Sequence, residues 1–482
     1  MKKLKLFIQI FLLFNVSAFS QQISIKGNAK SYAGEELVWH CYEDQISFNE
    51  RELARTTVNS DGNFVFEFNI NETILSFIHL NVFKGILYIE PNKDYEIILP
   101  QKVNKLPEDE LNPFFEETEF NIRVMNAEEN ELNELIKNFN RLYDNYLTKY
   151  FQQFKGKLNK AIADTIVESI EKSIPFNNNK YFNDYKLYSY ASLKLISYER
   201  NKEKLTESSF LNKPVLYQNP AYMDLFNQLY NNYLAYYSKT RQGKLIPYMI
   251  VKEKSLSKIK TVLNENPSLQ NEDFQELIIC KSLYDNFYKD DYPQEAIICV
   301  MDSLRTKGNF ENRKIADNLY KKITALLPDF PAPDFELHDN DNNIKSLAQF
   351  RNKFVYLNFV NPESYTCIQE LEVLKKMHTQ QIEMFEIVSI CVCDNALQMQ
   401  KLILDNGYLW PFLFFNNKKE LLKSYNIRSF PTYYLINPEG KLAMSPAFPP
   451  TEPSFINRYS DILKAWKIQM EQKKTKGKGS NN

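Results

Sequence analysis

The chain has 482 residues, with 59 basic and 60 acidic side chains and a formal charge of −1. A near-neutral balance without large charge blocks excludes a nucleic-acid footprint, so no nucleic-acid partner is expected. Six cysteines in so long a chain do not make a disulfide framework, and the length accommodates two to four domains built on ordinary apolar cores.

The chain opens Met1-Lys2-Lys3-Leu4-Lys5, continues with the apolar run Leu6–Phe14 and reaches small residues around Ser20. That order reads as a secretory signal peptide over residues 1–20. The run is too short to span a bilayer, and no cysteine near position 20 offers a lipoprotein anchor. The mature chain is therefore expected to be exported, in the periplasm, with no transmembrane segment.

Residues 21–104 have strand-like patterning. Gln22–Gly27 alternates, and the turn signal Asn59-Ser60-Asp61-Gly62-Asn63 is followed by Phe64, Phe66, Phe68 and Ile70 at period two. Short strands joined by polar turns predict a small antiparallel β-sandwich. His40 and His79 fall inside these strands and are read as structural. From 105 to 326 the period changes: Leu132, Leu135, Ile136, Phe139, Leu142 and Tyr143 recur at three and four. Asn219-Pro220 supplies a cap and a first-turn proline, and Tyr222, Tyr230 and Tyr233 are read as packed tyrosines whose hydroxyls reach the surface. This region is predicted to be all-α.

Leu327–Phe335, with three prolines, reads as a linker. Beyond it, strands at 354–360, 385–393, 411–415, 432–436 and 441–445 alternate with helices at 367–380, 395–406, 418–426 and 454–471. Alternation of this kind predicts an α/β domain over 327–470. The lysine-rich end, 471–482, is predicted to be a disordered tail. The fold class is thus multidomain: β-sandwich, all-α region, C-terminal α/β domain.

The apolar run Phe354–Leu357 leads into Asn358-Phe359-Val360-Asn361-Pro362-Glu363-Ser364-Tyr365-Thr366-Cys367, and a helical pattern follows. Strand, short loop and cysteines at a helix start are the layout of a dithiol redox site. Here Ser364 occupies the first cysteine position and Cys367 the second. With Ala332–Leu337, Trp410-Pro411 and Ile427-Arg428-Ser429-Phe430-Pro431-Thr432, the stretch 328–470 resembles the thioredoxin-fold, TlpA/ResA-like exported thiol–disulfide proteins. The resemblance implies a cis-proline at Pro431 facing the site, with Tyr365, Thr366, Phe430, Pro431 and Thr432 lining a substrate groove.

Dithiol exchange needs an attacking thiolate and a second sulfur to resolve the mixed disulfide. Ser364 has no base partner in sequence, so dithiol turnover is blocked. Two further thiol chemistries bear on these residues. Ser364-Tyr365-Thr366-Cys367 fits a peroxiredoxin Ser/Thr-x-x-Cys, but Val360 stands where that family has proline and Pro431 where it has arginine. Cys391 and Cys393 share one strand face, and neighbours two apart rarely bridge; they are read as core residues. Glu363 and Asp394 are isolated carboxylates. No Cys/His spacing suggests a metal, and no cofactor is implied. The preferred function is a periplasmic binding or accessory protein for a peptide or an exported protein partner; the alternative is a monothiol oxidoreductase or weak peroxidase working through Cys367.

Overall fold

The computed structural model of the protein describes residues 22–478 apart from 107, 108, 110, 111, 113, 114, 157, 175, 198–201, 394, 395 and 417. The expected signal peptide and Asp394 lie outside the described residues. The chain divides into two compact units, Met1–Asn318 and Leu319–Asn482.

The first unit begins with β1 (Ile23–Asn28), β2 (Glu36–Tyr42), β3 (Glu50–Thr57), β4 (Asn63–Phe68), β5 (Ile74–Leu80), β6 (Phe83–Ile89), β7 (Tyr95–Ile98), β8 (Thr118–Asn121) and β9 (Arg123–Val124). They form a four-stranded sheet, β4-β1-β7-β9, and a five-stranded sheet, β3-β2-β5-β6-β8. Alternation sets the faces: β4 buries Phe64, Phe66 and Phe68 and exposes the residues between them. Trp39 of one sheet meets Phe66 of the other edge-on at 5.3 Å, and the Trp39 indole donates to Ser76 Oγ at 3.0 Å.

Two sequence expectations need correction here. The sandwich is not purely antiparallel, because β1 pairs β7 and β6 pairs β8 in parallel. Each of these partners arrives after a long connection, which frees its direction from hairpin geometry. In addition, β8 and β9 belong to the sheets although they fall in the stretch expected to be helical. Four and two residues, mostly exposed, carry too little alternation to be seen.

The helices of this unit are α1 (Leu132–Gln153), α2 (Lys160–Ser173), α3 (Lys180–Ser197), α4 (Lys202–Ser209), α5 (Pro220–Leu229), α6 (Tyr233–Tyr237), α7 (Ile246–Val251), α8 (Leu256–Leu263), α9 (Glu272–Asn286) and α10 (Gln294–Lys307), followed by α11 (Phe310–Thr324). Asn219 caps α5 by accepting from Tyr222 N, with Pro220 in the first turn. The sandwich and the helices share a core in which Tyr88 of β6 packs with Leu132, Phe139 and Phe182. Asn133 clamps the Tyr88 backbone, accepting from its N–H at 2.7 Å and donating to its carbonyl at 2.9 Å. Buried Asp44 accepts from Ile46 N, Ser47 N and Asn318 Nδ2, which ties a sandwich loop to α11. Tyr222, Tyr230 and Tyr233 are buried rather than reaching the surface, and the Tyr230 hydroxyl pairs with Thr206 at 2.7 Å; nearby, Tyr188 donates to Ser209 O at 3.1 Å. Burying a phenol beside a helix end lets its hydroxyl satisfy a group that has lost water.

The second unit contains β10 (Glu336–Asp339), β11 (Ile344–Ser346), β12 (Phe354–Val360), α12 (Tyr365–Thr379), β13 (Phe385–Cys391), α13 (Ala396–Asn406), β14 (Phe412–Phe414), α14 (Lys419–Ser424), β15 (Thr432–Ile436), β16 (Leu442–Met444) and α15 (Pro453–Lys478). The sheet order is β11-β10-β14-β13-β12-β15-β16. Central β12 is buried throughout, parallel to β13 and antiparallel to β15. Tyr356, Ile387 and Leu435 form one core with Leu371 and Leu374 of α12, Met399 of α13 and Phe455 of α15.

The 327–335 stretch is not a free linker, because Asp329 N donates to Leu442 O and Leu442 N to Phe330 O, so it covers the β16 edge. The hairpin β10–β11 was not foreseen; it turns on Asp339, whose carboxylate accepts from Asp341 N and Asn343 N. The expected tail is helical as far as Lys478, since the lysine-rich segment has good helix propensity.

Candidate functional site

At the end of β12 the chain turns through Asn361-Pro362-Glu363-Ser364. Asn361 builds the turn, its side-chain oxygen accepting from Glu363 N at 2.8 Å and its carbonyl from Ser364 N at 3.1 Å. Ser364 is the N-cap of α12: its backbone is extended and its Oγ accepts from Cys367 N at 3.4 Å. The hydroxyl at the lost cysteine position therefore satisfies one of the helix's open N–H groups.

Cys367 sits in the first turn of α12 with 0 % of its surface exposed. Burial pushes its thiol above the ordinary range, while hydrogen bonding to Ser364 and to the Asn361 backbone works the other way. One turn on, Glu370 is also buried and accepts from Thr451 Oγ1 at 2.7 Å through one oxygen. Its other oxygen and the buried Tyr433 hydroxyl make no hydrogen bond among the described residues. The Tyr433 phenol is held well above its usual range by burial, then by the neighbouring Glu370 and Cys367. A buried polar cluster thus stands behind the thiol. Sequence reasoning missed it, although Glu370 and Cys367 are three apart and so share a helix face.

The register Phe359↔Thr432 sets Pro431 beside the end of β12, and the Phe430–Pro431 peptide is cis. Thr432 Oγ1 donates to Ser429 O at 2.7 Å, and Phe430 packs against the core that contains Cys367. Tyr365 is 75 % exposed and Thr366 is exposed. Of the expected site residues, Ser364, Cys367, Phe430, Pro431 and Thr432 come together at one end of the sheet, with Tyr365 and Thr366 facing solvent. Beneath them, Ser389 Oγ donates to Asn358 Oδ1 at 2.9 Å and accepts from Trp410 Nε1 at 2.8 Å. That closed network fixes the strand ends and gives Asn358 and Trp410 a structural reason.

Cys391 pairs across β12 with Val360 and is fully buried, its thiol raised well above the ordinary range by burial. Cys393 is half-buried against the same core. Among the described residues there is no group of three or more metal-ligating side chains. His79 instead bridges two carboxylates, Glu117 at 2.5 Å and Glu50 at 3.1 Å.

Residues 328–445 match the AhpC/TSA family. This stretch is an AhpC/TSA thioredoxin-like domain. Its relatives include the thiol-disulfide oxidoreductase ResA of Bacillus subtilis (strain 168), 27 % identical over 134 residues, which span 28 % of this chain and 74 % of that protein. ResA of Geobacillus thermodenitrificans is 27 % identical over 126 residues, 26 % of this chain and 72 % of that protein. Solved structures similar to the AhpC/TSA domain include the thioredoxin domain of a thiol-disulfide oxidoreductase from Bacteroides vulgatus, at 26 % identity and TM-score 0.23, covering 24 % of this chain and 86 % of that one. A thiol:disulfide interchange protein from Bacteroides sp. aligns at 26 % identity and TM-score 0.24, over 25 % of this chain and 80 % of that one.

Proposed function

We propose that this domain is a thioredoxin-like binding module of an exported protein, holding a peptide or protein partner at the Ser364–Cys367 and Pro431 end of the sheet without dithiol turnover. The observation that carries the reading is the use of Ser364 as a helix cap above a fully buried Cys367. Disulfide exchange passes an electron pair from an accessible thiolate to a substrate sulfur, and a second thiolate then expels the product. An oxygen at the first position and a shielded thiol at the second supply neither step. Exposed Tyr365 and Thr366 beside half-buried Phe430 and Thr432 leave apolar and hydrogen-bonding groups for a partner.

The second reading is a monothiol oxidoreductase or weak peroxidase at Cys367, favoured by the AhpC/TSA match. Disulfide-reductase and peroxidase turnover of wild type and Cys367→Ala separates the two. Equal background rates, with Ser364→Cys gaining reductase activity, support the binding module. A wild-type rate abolished by Cys367→Ala overturns it.

A further inference from the structure

Away from this site, the α1–α2 hairpin carries an unusual end. The fully buried residues of α1 lie between Leu132 and Phe139, and beyond them Leu142, Tyr143, Tyr146, Leu147 and Tyr150 pack half-buried against the core shared with α2 and α3. At about 1.5 Å per residue, the remaining fourteen residues carry the helix roughly 20 Å further out. Its last turn and the turn that follows expose Phe151 (53 %) and Phe154 (40 %). Phe154 stacks on Tyr150 with ring centroids 6.2 Å apart. The end is ordered by backbone: Gly156 N donates to Phe151 O at 2.8 Å, with Lys155 and Gly156 both at positive φ.

Helix α3 reaches the same end. Tyr185 bonds Asn140 and Tyr143 reaches Ser189 O, an offset of about 46 residues that sets Ile196, itself 57 % exposed, level with Tyr150. Lysines ring these apolar groups: Lys149, over the Tyr150 ring at 5.7 Å, with exposed Lys155, Lys160 and Lys194. From Asn145 to Ala163 the sequence has no carboxylate, in a chain whose charges otherwise balance.

Exposed aromatics among lysines match the interfacial zone of a bilayer. Rings bury at the headgroup boundary while lysine stems extend their charges to lipid phosphates. We propose that the tip formed by Lys149–Gly156, Lys160 and the end of α3 docks on an anionic lipid surface.

The test is co-sedimentation of the full chain with vesicles of phosphatidylglycerol and phosphatidylcholine in equal parts, against phosphatidylcholine alone. Wild type should prefer the anionic vesicles, and added salt should weaken that preference. Replacing Lys149, Lys155 and Lys160 by Gln should lower anionic-vesicle affinity on the order of 100-fold, at about 1 kcal/mol per lysine. Phe151→Ser with Phe154→Ser should also release the protein. In a Phe151→Trp chain, brominated lipid should quench the added fluorescence. All variants keep the apolar residues 6–14, so undiminished binding in both would place it elsewhere and overturn the proposal. Equal affinity for the two vesicle types, an unquenched Trp, or self-association without lipid binding would overturn it as well.

Discussion

Ser364→Ala tests the claim that this hydroxyl is a helix cap. The Oγ accepts from Cys367 N at 3.4 Å, near the long limit for a useful hydrogen bond. Loss of a serine cap costs about 0.5–2 kcal/mol, and the long distance selects the lower half, about 0.5–1 kcal/mol. If the helix end opens locally, the first-turn amides should exchange about two- to fivefold faster at fixed pH, the Boltzmann factor of that cost. Hydrogen–deuterium exchange resolved over peptides covering 361–370 reads this directly, with 371–379 as an internal control. Ser364→Asp should return exchange to the wild-type rate or below, because a carboxylate caps equally well and opposes the helix dipole. Unchanged exchange in Ser364→Ala, or an Asp variant as fast as the Ala variant, would refute the cap.

Three further outcomes are expected. Asn133→Ala leaves the buried Tyr88 N–H and C=O without partners, so the first unit should lose about 1–3 kcal/mol in urea unfolding. Leu374→Ala opens a void under α12 beside β12 and should lower the stability of the second unit by about 2–5 kcal/mol, leaving unfolding of the first unit unchanged. For His79, burial opposes the charge, but Glu117 and Glu50 outweigh it and raise the imidazole to about 9. A folded pKa above the unfolded value of about 6.5 gives stability that is complete below that value and lost as pH rises through about 9. The ring is about one-third exposed, which leaves on the order of 1 kcal/mol; the gap between wild type and His79→Gln urea midpoints should shrink from pH 6 to pH 10.

The elements with long, regular patterns were readable from sequence. β4 announces itself by three phenylalanines at period two, and β12 by the apolar run Phe354–Leu357 leading toward turn residues. Short or cross-chain features were not. β8 has four mostly exposed residues and its identity depends on pairing with β6, far away in sequence. The strip at 329–332 looks like a linker because prolines suppress strand patterning, yet Asp329 N donates to Leu442 O of β16 and Phe330 O accepts from Leu442 N. At the site, Ser364 and Cys367 were visible as a departure from a dithiol motif. The capping role of Ser364 needed the backbone, and the Glu370–Tyr433–Thr451 cluster needed three elements brought together. Glu370 alone was within reach, as a carboxylate on the helix face that carries Cys367.

A binding site without thiol turnover requires a Cys367 thiol that is shielded and not acidic. Alkylation of the folded protein across pH 6–10, read at Cys367 by peptide mass spectrometry with Cys367→Ala as the blank, measures both properties at once. Labelling is expected only after denaturant is added, or at a slow folded-state rate whose apparent pKa lies above the free-cysteine value of about 8.5. Rapid labelling of the folded protein with an apparent pKa well below that value would contradict it and make Cys367 a working nucleophile.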